Sequence, residues 1–149
     1  MRTILAILVL SIAGTAFIIS PESPEAVKGG DEGIQFFKGT WAEALEKSKA
    51  ENKPIFVDVY TTWCGPCKWM SKYTFTDDEV AKFYNEKFIC VKADAERGEG
   101  ITLARKYKVR AYPTLLFVKN DGSTILKTEG ARSSEQFIQL GNKVLGKVN

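Results

Sequence analysis

Pro54-Ile55-Phe56-Val57-Asp58-Val59-Tyr60, followed after two threonines by Trp63-Cys64-Gly65-Pro66-Cys67-Lys68, sets the fold to be expected of this chain. The first run is rich in β-branched and aromatic residues and opens on a proline, which predicts a buried strand. The second predicts a tight turn with a helix starting at it, holding two thiols at an exposed edge. Thiols separated by two residues can close a small disulfide ring and open it again. A helix N-terminus carries partial positive charge and favours a thiolate over a thiol. A partly exposed thiolate with a second cysteine in reach is the apparatus of thiol–disulfide exchange.

Composition narrows the alternatives. A chain of 149 residues predicts one domain plus an appendage, and 44% apolar residues suffice for a core. Net charge is +3 with the two signs interspersed. No basic stripe is present, which argues against a nucleic-acid partner. The chain has no histidine, which removes Cys–His proteases and most zinc enzymes. A closed zinc site needs four ligands, and Cys-x-x-Cys supplies two. The third cysteine, Cys90, sits in Phe88-Ile89-Cys90-Val91, a buried-strand pattern, and is expected to be a small core residue.

Residues 1–20 read as a targeting segment. Arg2 is the only charge before an apolar run from Ile4 to Ile19, shorter than a spanning helix and close to the core of a signal peptide. A cleaved signal peptide and an uncleaved N-terminal membrane anchor both fit, and both put the domain outside the cytoplasm. Residues 21–33 are rich in Pro, Gly and acids and are expected to be a flexible linker. The domain then runs over 34–149.

Ile34-Gln35-Phe36-Phe37 is a short first strand or a hydrophobic arm. Thr40-Trp41-Ala42-Glu43 fits a capping box, with a helix to about Asn52. A helix should continue from the cysteine pair through Lys68 to Tyr73, and a second capping box begins at Thr76. Lys87 to Ala93 is a β run. Gly98 and Gly100 precede a helix with Leu103, Ala104 and Tyr107 inward. Tyr112 to Val118 is a buried strand, Asn120-Asp121-Gly122-Ser123 a hairpin turn, and Thr124 to Thr128 the returning strand. Ser133 or Ser134 caps a last helix. The βαβ part implies parallel strands and the hairpin an antiparallel edge. The expected architecture is α/β, a mixed central sheet with helices on both faces.

These residues resemble the thioredoxin family over about 34–146. The resemblance is carried by Val57-Asp58-Val59, Trp63-Cys64-Gly65-Pro66-Cys67-Lys68, Tyr112-Pro113-Thr114 and Gly130. Lys72-Tyr73-Thr74-Phe75-Thr76-Asp77 with Val80 looks like the C-terminal thioredoxin-like domain of the membrane reductase DsbD. The resemblance implies the thioredoxin fold, with Cys64 as attacking thiolate and Cys67 as resolving thiol. It makes Asp58 a buried acid beneath the site. Strand alternation sets Asp58 opposite to Val57 and Val59, and a buried carboxyl can exchange a proton with Cys67. A surface acid on an edge strand fits the surrounding apolar run poorly. Lys92 matches the family's partner for that acid, though a solvated strand lysine reads the same.

The resemblance further implies a cis bond before Pro113, with the Tyr112 backbone free to pair with an extended substrate. Trp63, Gly65, Pro66, Tyr112, Pro113 and Gly130 make up the expected substrate-binding surface. Trp69 is expected to pack along its helix. Tyr60 stands where many thioredoxins have tryptophan. No metal or organic cofactor is implied. Gly65-Pro66 adds no charge that would further stabilise a thiolate, which favours a protein-disulfide reductase over an oxidase or isomerase. A non-catalytic docking module is the remaining alternative. The expected partners are disulfide-bonded exported proteins and a DsbD-like membrane electron donor. The expected place is the bacterial periplasm, and the expected state a monomer.

Overall fold

The computed structural model describes residues 33–148. The targeting segment and the linker up to residue 32 lie outside the described residues. Gly33 is buried at φ +99°, and its carbonyl accepts from Asn85 Nδ2 at 3.2 Å. A Cβ there would stand 2.5 Å from the Phe75 carbonyl oxygen.

In chain order the elements are α1 (Trp41–Glu51), β1 (Ile55–Tyr60), α2 (Gly65–Trp69), a π-helical segment (Met70–Thr74) and α3 (Asp78–Lys87). Then follow β2 (Ile89–Asp94), α4 (Gly98–Lys106), β3 (Thr114–Val118), β4 (Thr124–Glu129) and α5 (Ser134–Leu145). The sheet order is β2-β1-β3-β4. β1 pairs parallel with β2 and antiparallel with β3, and β3 pairs antiparallel with β4. This is the expected thioredoxin fold.

Alternation along β1 sorts the core into two layers. Ile55, Val57 and Val59 pack with Ala44, Leu103 and Tyr107 of the α1 and α4 side. Phe56 packs on the opposite side with Val80 and Tyr84 of α3 and Phe137 and Val144 of α5. The Tyr84 and Phe137 rings stack at 3.9 Å, and the Tyr84 hydroxyl donates to the Phe137 carbonyl at 2.8 Å. A buried phenol needs such a partner. Because β1 is an inner strand, both its faces are covered, and Asp58 faces the α3/α5 side.

Several boundaries moved for local reasons. The arm at Ile34–Phe37 makes one parallel bridge, Phe36 to Cys90, held by Ile34 N–H to the Phe75 carbonyl and Phe37 N–H to the Cys90 carbonyl, both 2.8 Å. Thr40 and Glu43 form the capping box of α1. At α3 the cap is Asp77, not Thr76. The Asp77 carboxylate accepts from the N–H groups of Glu79 and Val80, while the Thr76 hydroxyl turns back to the Lys72 carbonyl. One carboxylate thus satisfies two open amides where a hydroxyl would satisfy one. Gly98 and Gly100 lie inside the first turn of α4. β3 begins at Thr114, since Pro113 has no N–H to give the ladder. Ser133 caps α5, boxed with Gln136.

Candidate active site

α2 starts where β1 has run out of sheet partners. Cys64 is its N-cap, and its Sγ accepts the N–H of Cys67 at 3.1 Å. Pro66 suits the first turn, where a missing N–H costs nothing. Cys64 and Cys67 are joined as a disulfide with their Cα atoms 5.3 Å apart. The two cysteines are 4% and 3% exposed, more covered than the exposed edge expected. The Cys64 side chain turns toward the start of its own helix, where its Sγ is bonded to that of Cys67 and accepts the Cys67 amide.

Trp63 takes the exposed place instead, at 65%. Its indole N–H donates to Glu96 Oε1 at 3.0 Å, and its ring meets Tyr112 edge-on at 6.0 Å. The Tyr112–Pro113 bond is cis. The Pro113 carbonyl accepts the Gly130 N–H at 2.8 Å, with Gly130 at φ +88°. Trp63, Tyr112, Pro113 and Gly130 are therefore linked into one surface from three separate parts of the chain. Gly65 faces open space, with no heavy atom within 4 Å of where its Cβ would be.

Asp58, on β1, is 1% exposed. Its register partner on β2 is Lys92, whose Nζ stands 3.2 Å from Asp58 Oδ2. Neither carboxylate oxygen has a well-aligned hydrogen bond among the described residues. Burial pushes the Asp58 carboxyl above the ordinary carboxylate range, and the Lys92 charge opposes that shift only in part. Lys92 also donates to Ser71 Oγ at 2.9 Å. Its ammonium lies over Tyr60 at 4.8 Å, Phe36 at 5.1 Å and Phe75 at 5.4 Å. An aromatic box and a hydroxyl thus hold this lysine against the acid. Tyr60, the departure from the family pattern, is one wall of that box.

The π-helical segment ties the site to the β4–α5 connection. Phe75 N–H reaches the Met70 carbonyl at 2.9 Å, one residue further than an α-helix would. The Thr74 hydroxyl donates to the Arg132 carbonyl at 2.7 Å, and the Arg132 N–H points at Met70 Sδ at 3.4 Å. Trp69 packs along its helical run as expected, its ring 5.8 Å from that of Tyr73, but on the outside: it is 45% exposed and Tyr73 is exposed too. Residues buried on this helix are Cys67, Met70 and Thr74, leaving position 69 outside.

Ser71, Glu96, Phe36 and Phe75 were not foreseen at the site. Ser71 alone had a readable signal, since it follows Cys67 by one helical turn. Among the described residues no group of three Cys, Asp or Glu side chains is placed to hold a metal ion. No helix among them is long and apolar enough to cross a membrane.

The chain is similar to known proteins. The family profile described as a thioredoxin-like domain matches residues 41–145. The thiol:disulfide interchange protein DsbD of Yersinia pestis is 35% identical over 95 residues, 62% of this chain and 16% of DsbD. The chain thus spans about a sixth of that relative's length. A solution structure from Bacteroides thetaiotaomicron, titled as a candidate disulphide-isomerase, matches at 40% identity and TM-score 0.69, covering 78% of this chain and 97% of that one. The oxidised C-terminal domain of Neisseria meningitidis DsbD matches at 28% identity and TM-score 0.59, covering 73% and 98%. With its paired cysteines set at a helix start and a family profile matched over most of its length, the chain belongs to the thioredoxin-like domain family.

Proposed function

We propose that the chain is an extracytoplasmic protein-disulfide reductase that cycles Cys64–Cys67 between dithiol and disulfide. The carrying observation is the 3.1 Å contact from the Cys67 N–H to Cys64 Sγ. That donor stabilises a thiolate on Cys64 more than a thiol. In the forward step the Cys64 thiolate attacks one sulfur of a client disulfide. The client S–S bond breaks, and the departing client thiolate takes a proton from solvent. Cys67 then loses its proton, for which the ionised Asp58 carboxyl is the acceptor in this reading, and attacks Cys64 Sγ. The mixed disulfide breaks, the second client thiol leaves, and Cys64–Cys67 is oxidised. Two electrons have passed to the client.

Direction rests on Gly65-Pro66, which carries no charge to stabilise the reduced form beyond this amide. The surface of Trp63, Gly65, Pro66, Tyr112, Pro113 and Gly130 would receive the client chain by strand-like pairing. The DsbD likeness supports a place outside the cytoplasm, a DsbD-like membrane electron donor and exported clients. The domain would act as a monomer, carried by a cleaved signal peptide or by an N-terminal anchor at 1–20. The likeness to the candidate disulphide-isomerase of Bacteroides thetaiotaomicron favours isomerisation as a second reading.

Insulin reduction driven by dithiothreitol tests the activity. Turnover that disappears in Cys64→Ser is the expected result, and inert wild-type protein would refute the proposal. Equilibration in glutathione buffers tests the direction. A potential near that of reducing thioredoxins supports the reductase, and one near protein disulfide isomerase supports the second reading.

A further inference from the structure

The short connection from β4 to α5 carries an arginine whose charge meets no acid. Arg132 is partly buried and forms no ion pair among the described residues. Its guanidinium turns back on the chain instead. Nη1 donates to the carbonyls of Gly130 and Ala131, both at 3.0 Å, and Nη2 donates to the Thr128 hydroxyl at 2.8 Å. Hydrogen bonds from a charged donor are stronger than neutral ones, and a planar fork fixes the acceptors it spans in one arrangement.

The turn held in this way has little stiffness of its own. Gly130 stands at φ +88°, and glycine has more backbone freedom to lose than any other residue. Its N–H donates to the Pro113 carbonyl at 2.8 Å, so its amide is committed to the Pro113 segment and its carbonyl to Arg132. The main chain of Arg132 is held from another direction. Its carbonyl accepts from the Thr74 hydroxyl at 2.7 Å, and its N–H points at Met70 Sδ at 3.4 Å. Both partners are buried and belong to the π-helical continuation of α2, the helical run that Cys64 caps. One residue therefore joins the turn beside Pro113 to the helix that carries the cysteine pair.

We infer that Arg132 is a positioning residue for client binding, whose guanidinium fixes the Gly130 turn against Pro113 while its backbone moors that turn to the cysteine helix. This rests on the exchange reaction and the client surface proposed above. An extended client pairs with the backbone around Tyr112 and Pro113, and its sulfur must then meet Cys64 Sγ on a different element. The clamp keeps those two places in register. A small disulfide touches the sulfur alone and does not use it. Arg132 thus favours disulfides carried on an extended chain over small ones, without touching the reacting atoms.

The test compares two disulfides on the reduced full chain. One is a cystine-linked dimer of an eight-residue peptide, and the other is bis(2-hydroxyethyl) disulfide. Arg132→Met keeps the apolar stem and removes all three side-chain bonds. KM for the peptide should rise about tenfold with kcat unchanged, and the rate constant for the small disulfide should stay the same. Arg132→Lys, which can serve only part of the fork, should fall between Arg132→Met and wild type. Hydrogen exchange of the Gly130 amide should quicken about tenfold in Arg132→Met, while the amides of β1 keep their rates. Equal losses on both disulfides, or an unchanged KM for the peptide, overturn the inference. So does unchanged exchange at Gly130, whatever the turnover. Wild-type protein inert toward both disulfides would instead defeat the reductase proposal, and with it the client role, while the exchange rates would still show whether the clamp holds the turn.

Discussion

The Lys92 ammonium stands 3.2 Å from Asp58 Oδ2 because the two residues are register partners on adjacent parallel strands. Register partners face the same side of a sheet, so one strand pairing delivers both charges to the same face, with Lys92 lining a cavity that Cys67 also lines. Charge pairing alone does not place the lysine. Ser71 accepts from it at 2.9 Å, and Tyr60, Phe36 and Phe75 surround it.

Asp58→Asn should stabilise the domain and slow it. A carboxyl whose folded pKa is raised binds its proton more tightly folded than unfolded. Its stability contribution is therefore lost as pH rises from the ordinary carboxylate range through the raised value. At pH 8 the variant should exceed wild type by about 1–3 kcal/mol, the cost of an unsatisfied buried group. Near pH 4 the two should converge. Release of the mixed disulfide should slow by roughly 10²-fold, as for a lost general base. Urea melts at the two pH values and single-turnover kinetics check this; a variant less stable at pH 8 would contradict it.

Ser71→Ala and Lys92→Gln should move the pH dependence of that release step in opposite directions. Without Ser71, the ammonium has only Asp58 as an oxygen partner, the ionised carboxylate gains, and the alkaline rise starts at lower pH. Without Lys92, the charge opposing desolvation is gone and the rise starts at higher pH. Stability should change by less than about 1 kcal/mol for Ser71→Ala, since one partly buried hydrogen bond is lost. Parallel displacement of both profiles would show that Ser71 does not share the lysine.

The parts of this fold legible in the sequence were those with a short-range signal. Alternation in Ile55–Tyr60 gave both core layers and the side on which Asp58 lies. The hairpin at Asn120–Ser123 and the capping boxes at Thr40 and Ser133 are local chemistry too. What stayed hidden depends on distant parts of the chain. Phe36 and Phe75 reach Lys92 only because the arm docks on β2 and the π-helical turn redirects Phe75. Trp69 has the composition of a core residue, and only the helix's rotation leaves it outside. The choice of Asp77 over Thr76 as cap was a contest between neighbours that pattern alone does not decide.

Two glycines should behave oppositely on replacement by alanine. A Cβ on Gly100 would fall 1.9 Å from the Asp94 carbonyl oxygen, since the first turn of α4 packs directly on the end of β2. Backbone on both sides leaves no cheap escape, so Gly100→Ala should cost about 3 kcal/mol or more and lower Tm by at least about 10 °C. A Cβ on Gly65 meets nothing within 4 Å. Gly65→Ala should leave stability unchanged or raise it by up to about 1 kcal/mol. Any loss of activity there would then report on client contact. Thermal melts separate the two, and equal destabilisation would mean that Gly65 is constrained by something other than space.

Cys90 should stay silent while the other thiols react. It is 2% exposed, its Sγ lies 3.8 Å from the Tyr84 carbonyl, and burial pushes its thiol well above the ordinary range. A neutral thiol inside an apolar layer is neither nucleophile nor target. In reduced native protein, iodoacetamide should label Cys64 first. Cys90 should be labelled only when denaturant opens the layer formed by Phe56, Tyr84 and Phe117. Cys90→Ala should keep full insulin-reducing activity at a stability cost of about 1–2 kcal/mol for the small cavity left. Mass spectrometry of time-resolved alkylation measures the order directly. Labelling of Cys90 at the Cys64 rate, or a client trapped on it in Cys67→Ser, would mean that this sulfur takes part in exchange rather than filling the core.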